Sequence, residues 1–545
     1  MSQNVWNIFA ALADAVPERD AVVGHGQRLS YGALAERSTR LANVLAEHGL
    51  GIHRERADLR GWESGQDLVG TYLLNGREYL EVTLGGYAAR TAPFNVNYRY
   101  VADELAHLLD DADAGAVVYH ARFAPRVAEI LPRLRRRPLL LQVADSSGEE
   151  LLEGAIDYEG ALAAASTDLA VTGHDPDDLY VLYTGGTTGM PKGTLWRQAD
   201  IWTAALGGDM LAGADLDAIT DVAVDATSPR LLPNAPFMHG AAHWLALRAL
   251  LGGGTIVLNE VVERLDPVDV WTRVQDEQVD SILMVGESFA RPLLDELERG
   301  NYDVSTVKLI VVGGAATSPE TKHRMLTAMP GAMVLDAAGS SETGSALSAI
   351  AAGGAVGEAA VFAAGPGTVV LDDTLSRIVD PGSDETGWFA KSGAIPLGYL
   401  GDEAKTARTF PTVDGTRYSV PGDRARLRAD GMVELLGRDS VTINSGGEKI
   451  FAEEVEAALL THPAVRDAVV VGRDSERWGQ EVVAVVSLRG DEPDPTDADL
   501  VAAVAERIAR YKLPKQIVRV EEVFRSPAGK ADYAWARATA GDASR

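Results

Sequence analysis

Tyr183-Thr184-Gly185-Gly186-Thr187-Thr188-Gly189-Met190-Pro191-Lys192-Gly193 is a run rich in glycine and hydroxyl residues that ends in a lysine and a glycine. It follows Leu179 to Tyr183, a β-branched and aromatic run that reads as a buried strand. Its four glycines let backbone approach a polyanion closely, and its three threonines and backbone N–H groups can donate to oxygen. Lys192 adds a fixed positive charge. No Ser or Thr follows that lysine and the spacing differs from the Walker pattern, so this is a phosphate loop of another kind.

The bulk composition narrows what such a loop serves. A chain of 545 residues with 46% hydrophobic content has room for several domains and a large core. Its formal net charge of −29 disfavours nucleic acid and anionic membrane surfaces as partners. The absence of cysteine excludes disulfides, thiolate metal sites and a cysteine nucleophile. Met1 to Asp20 has neither a basic nor an apolar leader region, and no later segment is apolar enough to span a bilayer, so a cytoplasmic location is expected.

Outward from the loop, strand and helix patterns alternate. Strands are expected at Thr255–Leu258, Ser281–Val285, Lys308–Val312 and Met333–Asp336, with helices near Pro267–Gln278, Phe289–Arg299 and Pro319–Met329. Upstream come a helix over Tyr31–His48, a run Leu68–Leu74, an amphipathic Asp103–Asp110 and a strand Ala116–Tyr119. This is the rhythm of an α/β fold, largely parallel sheets covered by helices. The basic group Arg133, Arg135, Arg136 and Arg137 reads as a solvated surface turn. Gly344 to Gly367 is almost uncharged, and its small residues are read as leaving room beside a pocket. A β-rich section follows, then a smaller α+β unit. That unit has a helix Ala452–Leu460, strands Ala468–Gly472 and Val482–Leu488, a helix Asp497–Arg510 and a strand Gln516–Val520. The division is placed at 1–438 and 439–545.

Further clusters bear chemistry. His239 follows an apolar run in Pro236-Phe237-Met238-His239-Gly240, and His243 stands four residues on, a zinc-ligand spacing without the adjoining glutamate of a metalloprotease. Glu342 in Gly339-Ser340-Ser341-Glu342-Thr343-Gly344 suits Mg²⁺, and equally a capped helix start. Asp423, after a Pro-Gly turn, suits ribose hydroxyls or is an ordinary turn residue. Lys530 sits on Ser526-Pro527-Ala528-Gly529-Lys530, which alone reads as a solvated tail. Gly286-Glu287-Ser288-Phe289-Ala290 nearly makes a nucleophile elbow, but its last position is Ala and neither His323 nor His462 has a recognisable context as base.

Taken in order, the phosphate loop, Gly313-Gly314-Ala315-Ala316, Gly339 to Gly344, Gly422-Asp423, Gly437-Arg438 and Gly529-Lys530 resemble the adenylate-forming superfamily across nearly the whole chain. That superfamily comprises acyl-CoA synthetases, luciferases and carrier-protein adenylation domains. Phe94-Asn95-Val96-Asn97-Tyr98-Arg99-Tyr100 and Asn444-Ser445-Gly446-Gly447-Glu448-Lys449-Ile450 are similar to its actinobacterial branch, which activates fatty, sterol and terpenoid acids.

The resemblance implies a large N-terminal domain with mixed sheets and a β-rich subdomain, plus a small mobile C-terminal lid. It implies an acyl-CoA ligase using ATP, Mg²⁺ and coenzyme A, and a family habit of homodimers. By that analogy Lys530 bridges the carboxylate and α-phosphate, Ser341 touches the α-phosphate, and Glu342 holds Mg²⁺. Thr184, Gly185, Gly186, Thr187, Thr188, Gly189 and Lys192 take the β and γ phosphates. Gly314, Ala315, Ala316, Asp336, Ala337, Ala338, Gly339 and Ser340 line the nucleotide site, and Asp423 and Arg438 hold ribose. His239 lines the acyl pocket, and Ser445, Gly446 and Gly447 form the pantetheine tunnel after the lid turns.

Three positions depart from the family pattern: Ala338 where an aromatic commonly stacks on adenine, Ser440 at the hinge beside Asp439, and Ala394 where a bulkier polar residue is usual. They leave open an enzyme that only thioesterifies a supplied acyl-AMP, and an acyl-AMP ligase loading a carrier protein is a further alternative because it would share the first half-reaction.

Overall fold

The computed structural model describes residues 4–184, 191–211, 213–225, 228–358, 360–445, 448–475, 479–490, 493–526 and 529–542. The largest sheet has a parallel heart, in spatial order Thr255–Val257, Arg230–Leu232, Ser281–Met284, Leu309–Gly313 and Met333–Ser340. The helices Pro267–Asp276 and Pro319–Ala328 between these strands begin on capping residues. Asp266 and Ser318 accept from Asp269 N and Thr321 N, and in both cases a proline at the first helical position needs no partner for its missing N–H. Met333–Ser340 then turns back antiparallel on Gly344–Ala351, and the sheet continues as the β-rich section through Val361–Ala364, Val433–Arg438, Asp423–Leu427 and Gly387–Ser392.

Gly344 to Gly367 supplies two of these strands, and its small residues allow close backbone contact. A Cβ on Gly339 would lie 1.9 Å from Gly344 O, and one on Gly365 would lie 2.7 Å from Ala346 O. Its outer edge faces solvent, with Ile350 66% exposed.

A second, all-parallel sheet runs Ala92–Asn95, Leu68–Tyr72, Ala116–His120, Leu139–Val143 and Ile156–Asp157. The strand Leu179–Thr184 belongs to neither. It forms an antiparallel hairpin with Lys192–Arg197, and Gly398–Tyr399 adds a third strand. Period and composition could not separate it from the parallel heart, because a fully buried strand looks alike in both settings. The basic group at 133–136 is paired rather than simply solvated: Arg133 meets Asp103 at 2.6 Å and Arg136 meets Asp67 at 3.1 Å.

The C-terminal unit is a five-stranded sheet centred on Gly479–Leu488. Side chains alternate across that strand, so Val482, Ala484 and Val486 pack with the helices Ala452–Leu460 and Asp497–Ala505. Val483 and Val485 pack on the other face with Ala536 and Ala540 of Tyr533–Asp542. The unit docks on the helix Gly286–Arg299, where Arg291, braced by Glu287 at 2.6 Å, donates to the carbonyls of Val465 and Arg466.

Candidate functional site

The cleft between the two units gathers residues from distant parts of the chain. Thr184 ends its strand opposite Lys192 across the hairpin. Gly185, Gly186, Thr187, Thr188 and Gly189 lie outside the described residues, as do Gly446 and Gly447. Lys192 is not free: its ammonium is in an ion pair with Asp402, which holds that carboxyl below the usual range. Asp402 also caps the helix Glu403–Thr409, accepting from Lys405 N at 2.9 Å.

Beside the hairpin, Trp196 Nε1 donates to Ser341 O at 2.9 Å and fixes the turn that carries Glu342. One Glu342 oxygen accepts from the Tyr399 hydroxyl at 2.7 Å. Lys391 donates to Thr343 O at 2.9 Å from below, and burial pushes that ammonium down to about 8. Ser340 Oγ accepts from Glu342 N at 3.2 Å and Ser340 N donates to Thr343 Oγ1 at 2.9 Å, so this is a hydroxyl-braced turn rather than a helix start.

Gly314 turns with φ +77 after Leu309–Gly313, and Ala315 with Ala316 packs against Gly286. Ala337, Ala338, Gly339 and Ser340 lie on the strand Met333–Ser340, which runs four residues beyond the expected end at Asp336. Asp336 on the same strand is buried against Lys322, and burial raises its carboxyl pKa while the lysine opposes the rise. Ser445 ends the strand Ile443–Ser445 and registers with Glu448 and Gly479.

Across the cleft, Arg438 Nε meets Asp423 Oδ1 at 3.3 Å, and these residues are also partners across adjacent strands. Burial raises the Asp423 carboxyl pKa, and Arg438 is the main opposing influence. Lys530 enters this group from the C-terminal unit. Removal of its ammonium from water, then Arg438, lower its pKa, while Glu342 and Asp423 raise it. The residue as a whole remains solvent-exposed, so the cleft walls crowd the ammonium without sealing it. Gly529 is seated against Val285 and Ser288, which delivers the lysine.

His239 precedes the helix Gly240–Leu251. Burial, then the charges of Lys530 and Arg99, lower it to about 4, and its Nε2 is buried without a hydrogen-bond partner among the described residues. His243 does something else. Its Nδ1 meets the Tyr180 hydroxyl at 3.1 Å and its Nε2 meets Thr83 Oγ1 at 3.3 Å. The zinc-like spacing is thus a core histidine next to a site histidine. The near-elbow at Ser288 has no histidine partner among the described residues; its hydroxyl donates to Val285 O at 3.2 Å and marks the docking surface for Gly529.

Sequence reasoning gave no role to Tyr399, Asp402, Lys391, Lys322 or Asn95. Tyr399, Asp402 and Lys322 hold Glu342, Lys192 and Asp336, and Lys391 and Asn95 hold backbone beside the site, through contacts formed only by folding.

The AMP-binding enzyme family model matches residues 9–387, and the AMP-binding enzyme C-terminal domain model matches residues 454–530. The chain is 52% identical over 534 residues to the medium-chain acyl-CoA ligase Mig of Mycobacterium avium, covering 97% of each chain. It is 40% identical over 549 residues to the 3-oxocholest-4-en-26-oate–CoA ligase of Rhodococcus rhodochrous, covering 98% of this chain and 96% of that one. Among solved structures, the anthranilate CoA ligase AuaEII with anthranoyl-AMP has a TM-score of 0.83 at 21% identity, covering 100% of this chain and 98% of that one. ATP-bound MatB from Rhodopseudomonas palustris has a TM-score of 0.81 at 22% identity, with full coverage of both.

Proposed function

The chain belongs to the AMP-binding enzyme family, and on that premise we propose that it is an AMP-forming acid–thiol ligase. It converts a bulky or long apolar carboxylic acid to its coenzyme A thioester. The observation that carries the reading is the delivery of Lys530 from the C-terminal unit into a cleft with Glu342, Asp423, Arg438 and His239. The acids named for the relatives, medium-chain and sterol side-chain, support the substrate class.

In the first step a carboxylate oxygen bonds to the α-phosphorus of ATP, and pyrophosphate leaves with the electrons of the broken bond. In the second, the thiol of coenzyme A loses its proton and attacks the acyl carbon, and AMP leaves. The first step asks little covalent work of protein, so positioned cations and donors carry it. Lys530 bridges carboxylate and α-phosphate, Asp423 and Arg438 hold ribose, and His239, neutral at physiological pH, borders the acid.

Glu342 is a single carboxylate with one oxygen given to Tyr399, and no group of three His, Cys, Asp or Glu forms a metal cage among the described residues. That donor set fits Mg²⁺ completed by phosphate oxygens and water, where the ion would neutralise phosphate charge. The two units divide at 438 and 439, and rotation of 439–545 between half-reactions would exchange Lys530 for the Ser445 loop.

The test is Lys530→Ala assayed on a panel of medium-chain, long-chain and sterol acids. Acyl-CoA formation from acid, ATP and coenzyme A should vanish, while formation from synthetic acyl-adenylate persists. Both reactions surviving would refute the assignment.

A further inference from the structure

Asn95 lies at the carboxyl end of Ala92–Asn95 in the all-parallel sheet. Its side-chain amide is fully engaged. Oδ1 accepts from Tyr183 N at 2.7 Å, and Nδ2 donates to Tyr183 O and to Met238 O, each at 2.7 Å. The orientation of the amide is dictated by its neighbours, since an N–H demands the oxygen and two carbonyls demand the nitrogen.

These partners are adjacent to the two halves of the site. Tyr183 precedes Thr184 at the start of the phosphate loop, and Met238 precedes His239. Tyr183 is opposite Gly193 in the hairpin, and Gly193 O is turned away to accept from Leu400 N at 2.8 Å. The Tyr183 backbone groups therefore point to the free edge of the strand. Asn95 pairs both of them, as a neighbouring strand would, and spends its last hydrogen on the histidine turn. Asn75 holds the other side of that turn, accepting from Phe237 N at 2.7 Å and donating to Ala235 O at 2.9 Å. Asn75 touches the acid side alone. Asn95 touches both.

We propose that Asn95 is a positioning residue that sets the distance between the nucleotide loop and the His239 turn. The proposal rests on the ligase reading, and it makes an asymmetric prediction. Before adenylation the acid and ATP are separate molecules, so the protein must supply their alignment. In the acyl-adenylate they are one molecule, and a covalent bond supplies it. Loss of Asn95 should therefore damage the first half-reaction far more than the second.

Asn95→Ala and the milder Asn95→Ser, with Asn75→Ala beside them, should be measured per folded enzyme, the folded fraction being set by circular-dichroism melts. For either Asn95 variant that folds, kcat for pyrophosphate release should fall at least tenfold, while AMP binding and thioester formation from synthetic acyl-adenylate change less than about threefold. Equal losses in both half-reactions, or a loss no larger than the unfolded fraction, would overturn the proposal.

Hydrogen exchange gives a readout independent of turnover. Peptides containing Tyr183 and Met238 should both exchange faster in the Asn95 variants, whereas Asn75→Ala should loosen only the Met238 peptide. If the wild-type protein makes no thioester from any acid or adenylate, the ligase reading fails and exchange alone decides the clamp. Paired loosening then supports it, and its absence refutes it.

Discussion

Gly529→Ala puts the docking of the C-terminal unit to the test. Gly529 has φ +72, and a Cβ there would lie 2.4 Å from Ser288 Oγ, 3.2 Å from Val285 O and 3.4 Å from Val285 Cγ1. The left-handed backbone costs a non-glycine residue about 1–2 kcal/mol wherever the loop goes. The steric cost, about 1–3 kcal/mol for an overpacked contact, is felt only when the loop is seated on Ser288. Seating is what places Lys530, so that second cost falls on adenylation, and at about 1.4 kcal/mol per decade the loss is about 5- to 140-fold in kcat/KM. The assay pairs pyrophosphate release from acid and ATP with thioester formation from synthetic acyl-adenylate and coenzyme A. The first should fall by that factor and the second by less than about threefold. Ser288→Gly in the same chain removes the nearest clashing atom and should restore most of the lost rate. Equal losses in both assays, or no recovery in the double variant, would refute the reasoning.

The other expectations concern acid stability and the carboxylate turn. Burial lowers His243 to about 4 from an ordinary 6.5, so between those values the unfolded chain binds more protons than the folded one and stability falls as pH drops. His243→Gln removes that loss: its penalty in unfolding free energy should shrink by about 2 kcal/mol between pH 7 and pH 4.5, and denaturant titrations showing a constant gap would contradict it. Tyr399→Phe deletes the hydroxyl that donates to Glu342 at 2.7 Å. The Mg²⁺ concentration for half-maximal adenylation should rise about tenfold with little change in melting temperature; an unchanged Mg²⁺ dependence would remove Tyr399 from that role.

Much of the architecture was legible because local signals agreed with the final packing. The run at 179–183 is the strand Leu179–Thr184, and the helix Ala452–Leu460 and strand Gln516–Val520 have the expected bounds. The strand Asp20–Gly24 and the helix Gly240–Leu251 went unread, as did the sheet to which Leu179–Thr184 belongs. Motifs located Glu342, Asp423, Arg438 and Lys530, which the fold brings to one cleft. What holds them was not legible. Tyr399 is 57 residues from Glu342 and Asp402 is 210 from Lys192, and pairing over such spans is decided by sheet topology. The small residues at 344–367 were ambiguous for a related reason: glycine serves a close backbone contact as well as an open space, and sequence does not separate the two.

The pairing of Lys192 with Asp402 has a consequence for turnover. A polyanion arriving at Lys192 does not meet a bare cation; it must displace a carboxylate, so the gain on binding is a difference between two ion pairs. Asp402 tolerates the exchange because Lys405 N still donates to it when the lysine swings off. On the ligase reading proposed above, the same carboxylate would reclaim the lysine as pyrophosphate leaves, so the competition that moderates ATP affinity would hasten release of the leaving group. The pair would then work as an exchangeable counter-ion, trading ground-state grip for product escape.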